Sequence, residues 1–321
     1  MSHCRARAVY GVFLAACWSL AWLGAGSAAG AEENPAMGEY RGIPGVWLDN
    51  GIASAFVSGS PYPRVLAFQL KGGDSPMRAG TGDPFVGLRT WFMEPKQDDF
   101  SLRPSQQPAE AEATDSLSAR LTAAPDPESG LRLGMEIVLD KDSPTLRVRH
   151  GLTNLRAESR VLSLWPILAF PRVGVGFAPW SPAPGKARSW LLFDDADPRD
   201  PSLAVGRRVV ATDFRIAAKT GQLKTGVISD AGWVAYRWPG GMLRSSVPFI
   251  PGVEYPEGGA NITFYHCGGE AGGGFCEIEN VGPLTRVDPG ETLWMDQTLV
   301  IEPADILPPV IDADALLPAI P

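Results

Sequence analysis

Two glutamates on one short segment are the first residues in this chain whose spacing suggests chemistry. Phe275-Cys276-Glu277-Ile278-Glu279 alternates with the period of two that marks a strand, so Phe275, Glu277 and Glu279 share one face. Two carboxylates on a strand face need solvent in a cleft or cationic partners, because an unpaired buried charge is costly. Arg64, Arg89 and Arg244 are available mates. Carboxylates on alternate residues lie roughly 7 Å apart, a separation seen in glycoside cleavage. Both would approach from the same side, however, and so would flank no bond. Proton donors are few. His150 and His266 are the only histidines beyond residue 3. His150 falls on the apolar face of its segment, where a lone histidine is ordinarily a core residue, and His266 adjoins Cys267. There is no Gly-x-Ser-x-Gly nucleophile motif. Ala218-Lys219-Thr220-Gly221-Gln222-Leu223-Lys224 lacks the phosphate-loop pattern and reads as a turn with solvated lysines.

Aromatic residues are plentiful. Trp91, Trp165, Trp180, Trp190, Trp233, Trp238 and Trp294, with Tyr236 and Tyr255, can fill a large β core or stack on the C–H faces of sugars. Cys267 and Cys276 flank a glycine-rich loop at hairpin spacing and, in an oxidising compartment, are expected to form a disulfide. A zinc site would need about four ligands, and only His266 is near; no metal or cofactor is expected.

These residues must be positioned by an exported chain. Arg5 and Arg7 precede an apolar run from Val9 to Leu23, followed by small residues ending Ala29-Gly30-Ala31, the order of a secretory signal over residues 1–31. Leu14-Ala15-Ala16-Cys17 within it resembles a lipobox, so anchoring through an acylated Cys17 is the alternative to a periplasmic or extracellular protein. The remaining residues, about 290, carry a formal charge of about −10, which disfavours nucleic acid as a partner. Glycine (36) and proline (30) interrupt short apolar runs, and period-two alternation dominates. Strands are expected over Thr145–Asn154, Asn261–Cys267, Phe275–Val281 and Thr292–Ile301, the last led in by Asp288-Pro289-Gly290. Residues 96–130 are poor in large apolar side chains and read as a long surface excursion, with a brief helical period near Ser116–Leu121. Residues 32–46 read as a lead-in, 47–302 as one domain, and 303–321 as a proline-rich tail that lies extended against it or frays. The fold class is all-β, a large antiparallel sandwich or barrel.

Several stretches in order resemble the galactose mutarotase-like (aldose 1-epimerase-related) superfamily, and in particular a branch of secreted proteins. They are Pro63-Arg64-Val65-Leu66-Ala67-Phe68, Val148-Arg149-His150-Gly151-Leu152-Thr153-Asn154, Leu164-Trp165-Pro166-Ile167, Ala231–Tyr236, Tyr255-Pro256-Glu257-Gly258-Gly259, Phe275–Glu279, Gly282-Pro283-Leu284 and Asp288-Pro289-Gly290-Glu291. The resemblance implies a single-domain β supersandwich with a concave sheet that holds a sugar. In the epimerases a late-strand glutamate takes the anomeric proton while a histidine protonates the ring oxygen. Glu279 or Glu277 matches the glutamate, but Trp165 stands where the histidine is expected.

Three readings follow. The leading one is a carbohydrate-recognising protein without turnover, using Trp165, Arg64, Glu277, Glu279 and Tyr255. The second is an epimerase with Glu279 or Glu277 as base and His150 or a tyrosine as acid. The third is a structural or envelope-assembly module whose concave face is filled by side chains.

Overall fold

The computed structural model describes residues 36–95, 103–181, 189–194, 196–268, 274–305 and 307–319. The expected leader, residues 1–31, lies outside them. No helix among the described residues is long and apolar enough to cross a membrane.

In chain order the strands are β1 (Ala36–Tyr40), β2 (Ile43–Asp49), β3 (Ala53–Ser58), β4 (Arg64–Leu70), β5 (Leu88–Met93), β6 (Ala109–Asp115), β7 (Ser118–Ala123), β8 (Leu131–Leu139), β9 (Thr145–Asn154) and β10 (Arg160–Phe170). They continue as β11 (Val175–Pro179), β12 (Trp190–Leu192), β13 (Leu203–Val205), β14 (Val209–Asp213), β15 (Gln222–Val227), β16 (Trp233–Trp238), β17 (Gly241–Ser246), β18 (Ile262–Cys267), β19 (Phe275–Asn280), β20 (Thr285–Val287) and β21 (Thr292–Glu302). Eleven of them form one sheet in the order β1-β2-β3-β4-β5-β10-β19-β18-β15-β12, with β20 beside β10. Ten form the other, in the order β13-β14-β11-β16-β17-β21-β9-β8-β7-β6.

Alternation sets which side chains meet between the sheets. On β9, Leu146, Val148, His150 and Leu152 are buried while Arg147 and Arg149 are exposed. From the other sheet, Leu168, Phe170, Phe264, Cys276 and Ile278 join Leu146 and Val148 in the main core. Turn chemistry closes the hairpins. Arg41 (φ 52°) and Gly42 (φ 76°) make the two-residue link from β1 to β2, with the doubly left-handed backbone that suits strand twist. Asp288-Pro289-Gly290 turns into β21 with Gly290 at φ 78°, and the Glu291 amide donates to the Asp288 carbonyl at 3.0 Å.

The all-β supersandwich is as the sequence indicated, with three differences in extent. Sheet structure begins at Ala36, ahead of the expected boundary at residue 47. The excursion over 96–130 contains the hairpin β6–β7, an edge of the ten-stranded sheet. Its inward positions are alanines, which alternate correctly but carry little of the bulk that announces a strand. The tail ends in a 3-10 helix, Ala313–Ala319, with Leu307 and Leu316 packed against Val175 and Val209.

Candidate functional site

Paired residues in an antiparallel ladder point to the same face. On β19, Glu279 pairs with Ile167 of β10 and Thr263 of β18, while Glu277 pairs with Ala169 and Tyr265. Tyr265 pairs in turn with Lys224 of β15, and Ile167 with Arg89 of β5. Arg89, Trp165, Lys224, Tyr265, Glu277 and Glu279 therefore share the face of the eleven-stranded sheet turned away from the core. The odd-numbered parity of Phe275-x-Glu277-x-Glu279 places the carboxylates there, because Cys276 and Ile278 fill the core on the other side.

Each charge in this cluster has a defined partner. Arg89 is wholly buried and donates to the Glu277 carboxylate; its guanidinium lies 4.6 Å from the Trp91 ring centre and 5.4 Å from that of Phe85. Glu277 is thus the half of an Arg–Glu pair that its burial requires. Thr263 Oγ1 donates to Glu279, which is 3 % exposed. Burial pushes the Glu279 carboxyl up to about 7, against the opposing pull of Lys224 and with a further push from Glu277. Lys224 donates to Glu257 Oε1 at 2.7 Å, and its ammonium sits 4.5 Å from the Trp165 ring centre and 5.2 Å from that of Phe193. Burial also raises the Glu257 carboxyl, opposed by Lys224. Glu257 occupies the left-handed backbone region at φ 53°, and its buried Oε2 has no hydrogen-bond partner.

Arg64 is buried and does not reach the glutamates. It donates to the carbonyls of Pro63 (2.7 Å), Ser105 (2.8 Å) and Pro84 (3.2 Å), tying loops beside the cluster. Burial, then the neighbouring Arg89 charge, lowers its guanidinium to about 9. Trp165 is 1 % exposed and meets Trp91 edge-on at 6.2 Å, so Lys224, rather than open solvent, covers its ring.

Three expectations are corrected. His150 cannot assist Glu279. It lies between the sheets, bonded to Thr90 Oγ1 at 2.7 Å and Gln297 at 2.9 Å, and Gln297 continues to Ser245 at 2.8 Å. Burial lowers the imidazole to about 4, so it is neutral. Cys267 and Cys276 are not joined to each other. Cys276 pairs with His266 and Cys267 with Phe275, so the two sulfurs leave opposite faces of the sheet. Cys276 is a free, buried thiol beside the Phe170 and Pro171 carbonyls. Tyr255 hydrogen-bonds neither Glu277 nor Glu279: its ring stacks on Phe249 at 5.4 Å and its oxygen accepts the Ile250 amide at 2.9 Å. His266 also faces the core, with Nε2 3.1 Å from Ser202 Oγ, so neither described histidine shares the Glu279 face.

Lys224 and Glu257 are site members that sequence reasoning missed. Lys224 reads as a solvated turn residue beside Lys219, yet only Lys219 is on the turn, where it pairs with Asp197 at 2.5 Å. Lys224 instead lies inside β15, between the buried Leu223 and Thr225, and the apolar residues that follow it, Val227 and Ile228, are the signal for a strand there. Glu257 sits inside a stretch already notable for resemblance, but a carboxylate between proline and glycine carries no periodicity. No group of three or more His, Cys, Asp or Glu residues among the described residues is arranged to hold a metal.

No family model matches the chain, and no curated protein matches it. Solved structures do. An aldose 1-epimerase candidate from Escherichia coli K12 superposes with a TM-score of 0.53 at 14 % identity, covering 80 % of this chain and 98 % of that one. A galactose mutarotase-like protein from Lactobacillus casei ATCC 334 gives 0.52 at 10 % identity, covering 80 % and 100 %. Another from Clostridium acetobutylicum gives 0.51 at 10 % identity, covering 82 % and 96 %. The fold is therefore that of the galactose mutarotase-like proteins.

Proposed function

We propose that the chain is an exported carbohydrate-recognising protein that binds a sugar at the Lys224–Glu257–Glu279 cluster without turning it over. The observation that carries this reading is Glu257. A non-glycine residue in the left-handed region and a buried carboxylate oxygen without a partner each cost on the order of 1–3 kcal/mol. Such costs concentrate where a ligand is held, and a merely structural salt bridge needs neither. A sugar hydroxyl can donate to Glu257 Oε2 while its neighbours meet Glu279 and the Lys224 ammonium. The mutarotase-like fold supports the ligand class, and the supply of aromatic rings around Lys224 is consistent with it. Absence of turnover is supported by the two histidines, which face the core and leave Glu279 without an imidazole partner. Titration calorimetry over a panel of mono- and oligosaccharides tests the reading. Binding that disappears in Glu257→Gln is expected, and no heat with any sugar would remove the proposal.

A second reading is favoured by Glu279 itself. A carboxyl near 7 suits a general base at neutral pH, and Lys224 is then the cation placed to assist opening of a sugar ring. Proton NMR of a freshly dissolved α-aldose distinguishes the two: anomers that interconvert faster than in buffer, and no longer do so with Glu279→Gln, would establish an epimerase.

A further inference from the structure

The outward face of the ten-stranded sheet, on the opposite side of the sandwich, carries a second site. Four positions form one row across it: Trp294 (β21), Gly151 (β9), Gly134 (β8) and Thr122 (β7). Glycine in the middle of a strand weakens it and marks close approach by another group. Gly151 is explained within the chain, because a Cβ there would lie 2.5 Å from the Trp294 ring. Gly134 is not. An added Cβ would meet only the Leu121 carbonyl, at 3.8 Å, in otherwise open space. Its backbone floors a groove of about 180 Å³ walled by Trp294 and flanked by Arg120, Arg132, Glu136 and Thr122.

The charged groups around that floor are held only by long ion pairs. Trp294 is 40 % exposed, an unusual place for an indole. The Arg149 guanidinium lies 4.6 Å from its ring centre. Arg120 approaches Glu112 no closer than 3.9 Å, and Arg149 approaches Glu136 and Asp296 at 3.8 and 3.7 Å, all beyond hydrogen-bonding distance. Arg132 is exposed and forms no ion pair among the described residues. Guanidinium forks bind carboxylates in bidentate fashion, indole walls pack on pyranose C–H faces, and a glycine floor lets a flat ring lie against the backbone.

We propose that this groove binds one hexuronate residue of an acidic saccharide, with its carboxylate on Arg132 or Arg120, its ring against Trp294 and over Gly134, and its hydroxyls on Thr122 and Glu136. The site is separate from the Glu279 cluster and does not depend on the reading given for it. The test is a nitrogen–proton NMR titration of the folded protein with methyl glucuronoside, using methyl glucoside as the uncharged control. The Gly134 amide and the Trp294 indole N–H, assigned through Trp294→Phe, shift with the glucuronoside and respond at least about tenfold more weakly to the glucoside. Gly134→Thr, which places an ordinary strand residue in open space, keeps or raises the thermal unfolding midpoint while abolishing those shifts. The proposal is overturned if neither signal moves, if both sugars act alike, or if Gly134→Thr binds as the parent does. The Trp165 indole signal reports the other site separately, so failure at one is distinguishable from failure at the other.

Discussion

Replacing Glu279 with glutamine should stabilise the protein, and by an amount that depends on pH. Thr263 can still donate to the glutamine carbonyl, so the hydrogen bond of the native pair survives. What changes is titration. The folded carboxyl titrates near 7, the ordinary value being 4.5. Below pH 4.5 both folded and unfolded chains hold the proton, and Glu279 costs nothing on this account. Between 4.5 and 7 the unfolded chain has released a proton that the folded chain keeps, so stability falls as pH rises. Above 7 the full penalty is present, up to about 3 kcal/mol. Urea unfolding of parent and Glu279→Gln at pH 5, 6.5 and 8 reads this, because titrating groups that do not interact with Glu279 cancel in the difference. The variant should gain little at pH 5 and most at pH 8. A difference that is flat with pH, or a variant less stable than the parent at pH 8, would refute the claim that burial dominates at this carboxyl.

Three further outcomes are expected. Lys224→Met leaves Glu257 and Glu279 without their shared cation and should cost about 3–5 kcal/mol at pH 8, with most of the loss recovered when Glu257→Gln is added; denaturant midpoints of the single and double variants check it. His150 and His266 are each held at about 4 by burial, so the unfolded chain gains protons below the ordinary 6.5 that the folded chain refuses. Stability should then fall as pH drops from 6.5 to 4, by up to about 3 kcal/mol per histidine, and His150→Gln should reduce the slope. Burial raises the Cys276 thiol well above its usual range, so iodoacetamide without reductant should label Cys276 only after unfolding. A peptide linking Cys267 to Cys276 in a non-reducing digest would contradict the opposite-face geometry.

The fold was legible where alternation is strong. Leu146, Val148, His150 and Leu152 against Arg147 and Arg149 announce β9, and the β18–β19 hairpin follows from two such runs around a glycine loop. The β6 edge was not legible, because Ala109, Ala111 and Ala113 alternate without hydrophobic bulk. Parity placed Glu277 and Glu279 on one face, and of the three arginines available as mates Arg89 is the one that pairs with Glu277. Parity also shows why the cysteine pairing failed. Residues nine apart across a hairpin can be adjacent in sequence terms yet leave opposite faces when the register pairs Cys267 with Phe275. The Lys224–Glu257 contact joins a strand to a loop 33 residues away, and no local pattern encodes a contact of that kind. His150 was recognisable as a core candidate, but its partners Thr90 and Gln297 come from other strands and only the packed sandwich brings them together.

The most direct measurement of the central claim is proton NMR of the anomeric signals of a sugar that calorimetry shows to bind, recorded with parent protein and with Glu257→Gln. Recognition without turnover predicts signals broadened by the parent and not by the variant, with α and β forms exchanging no faster than in buffer. Anomeric exchange accelerated by the parent, or broadening unaffected by Glu257→Gln, would contradict it.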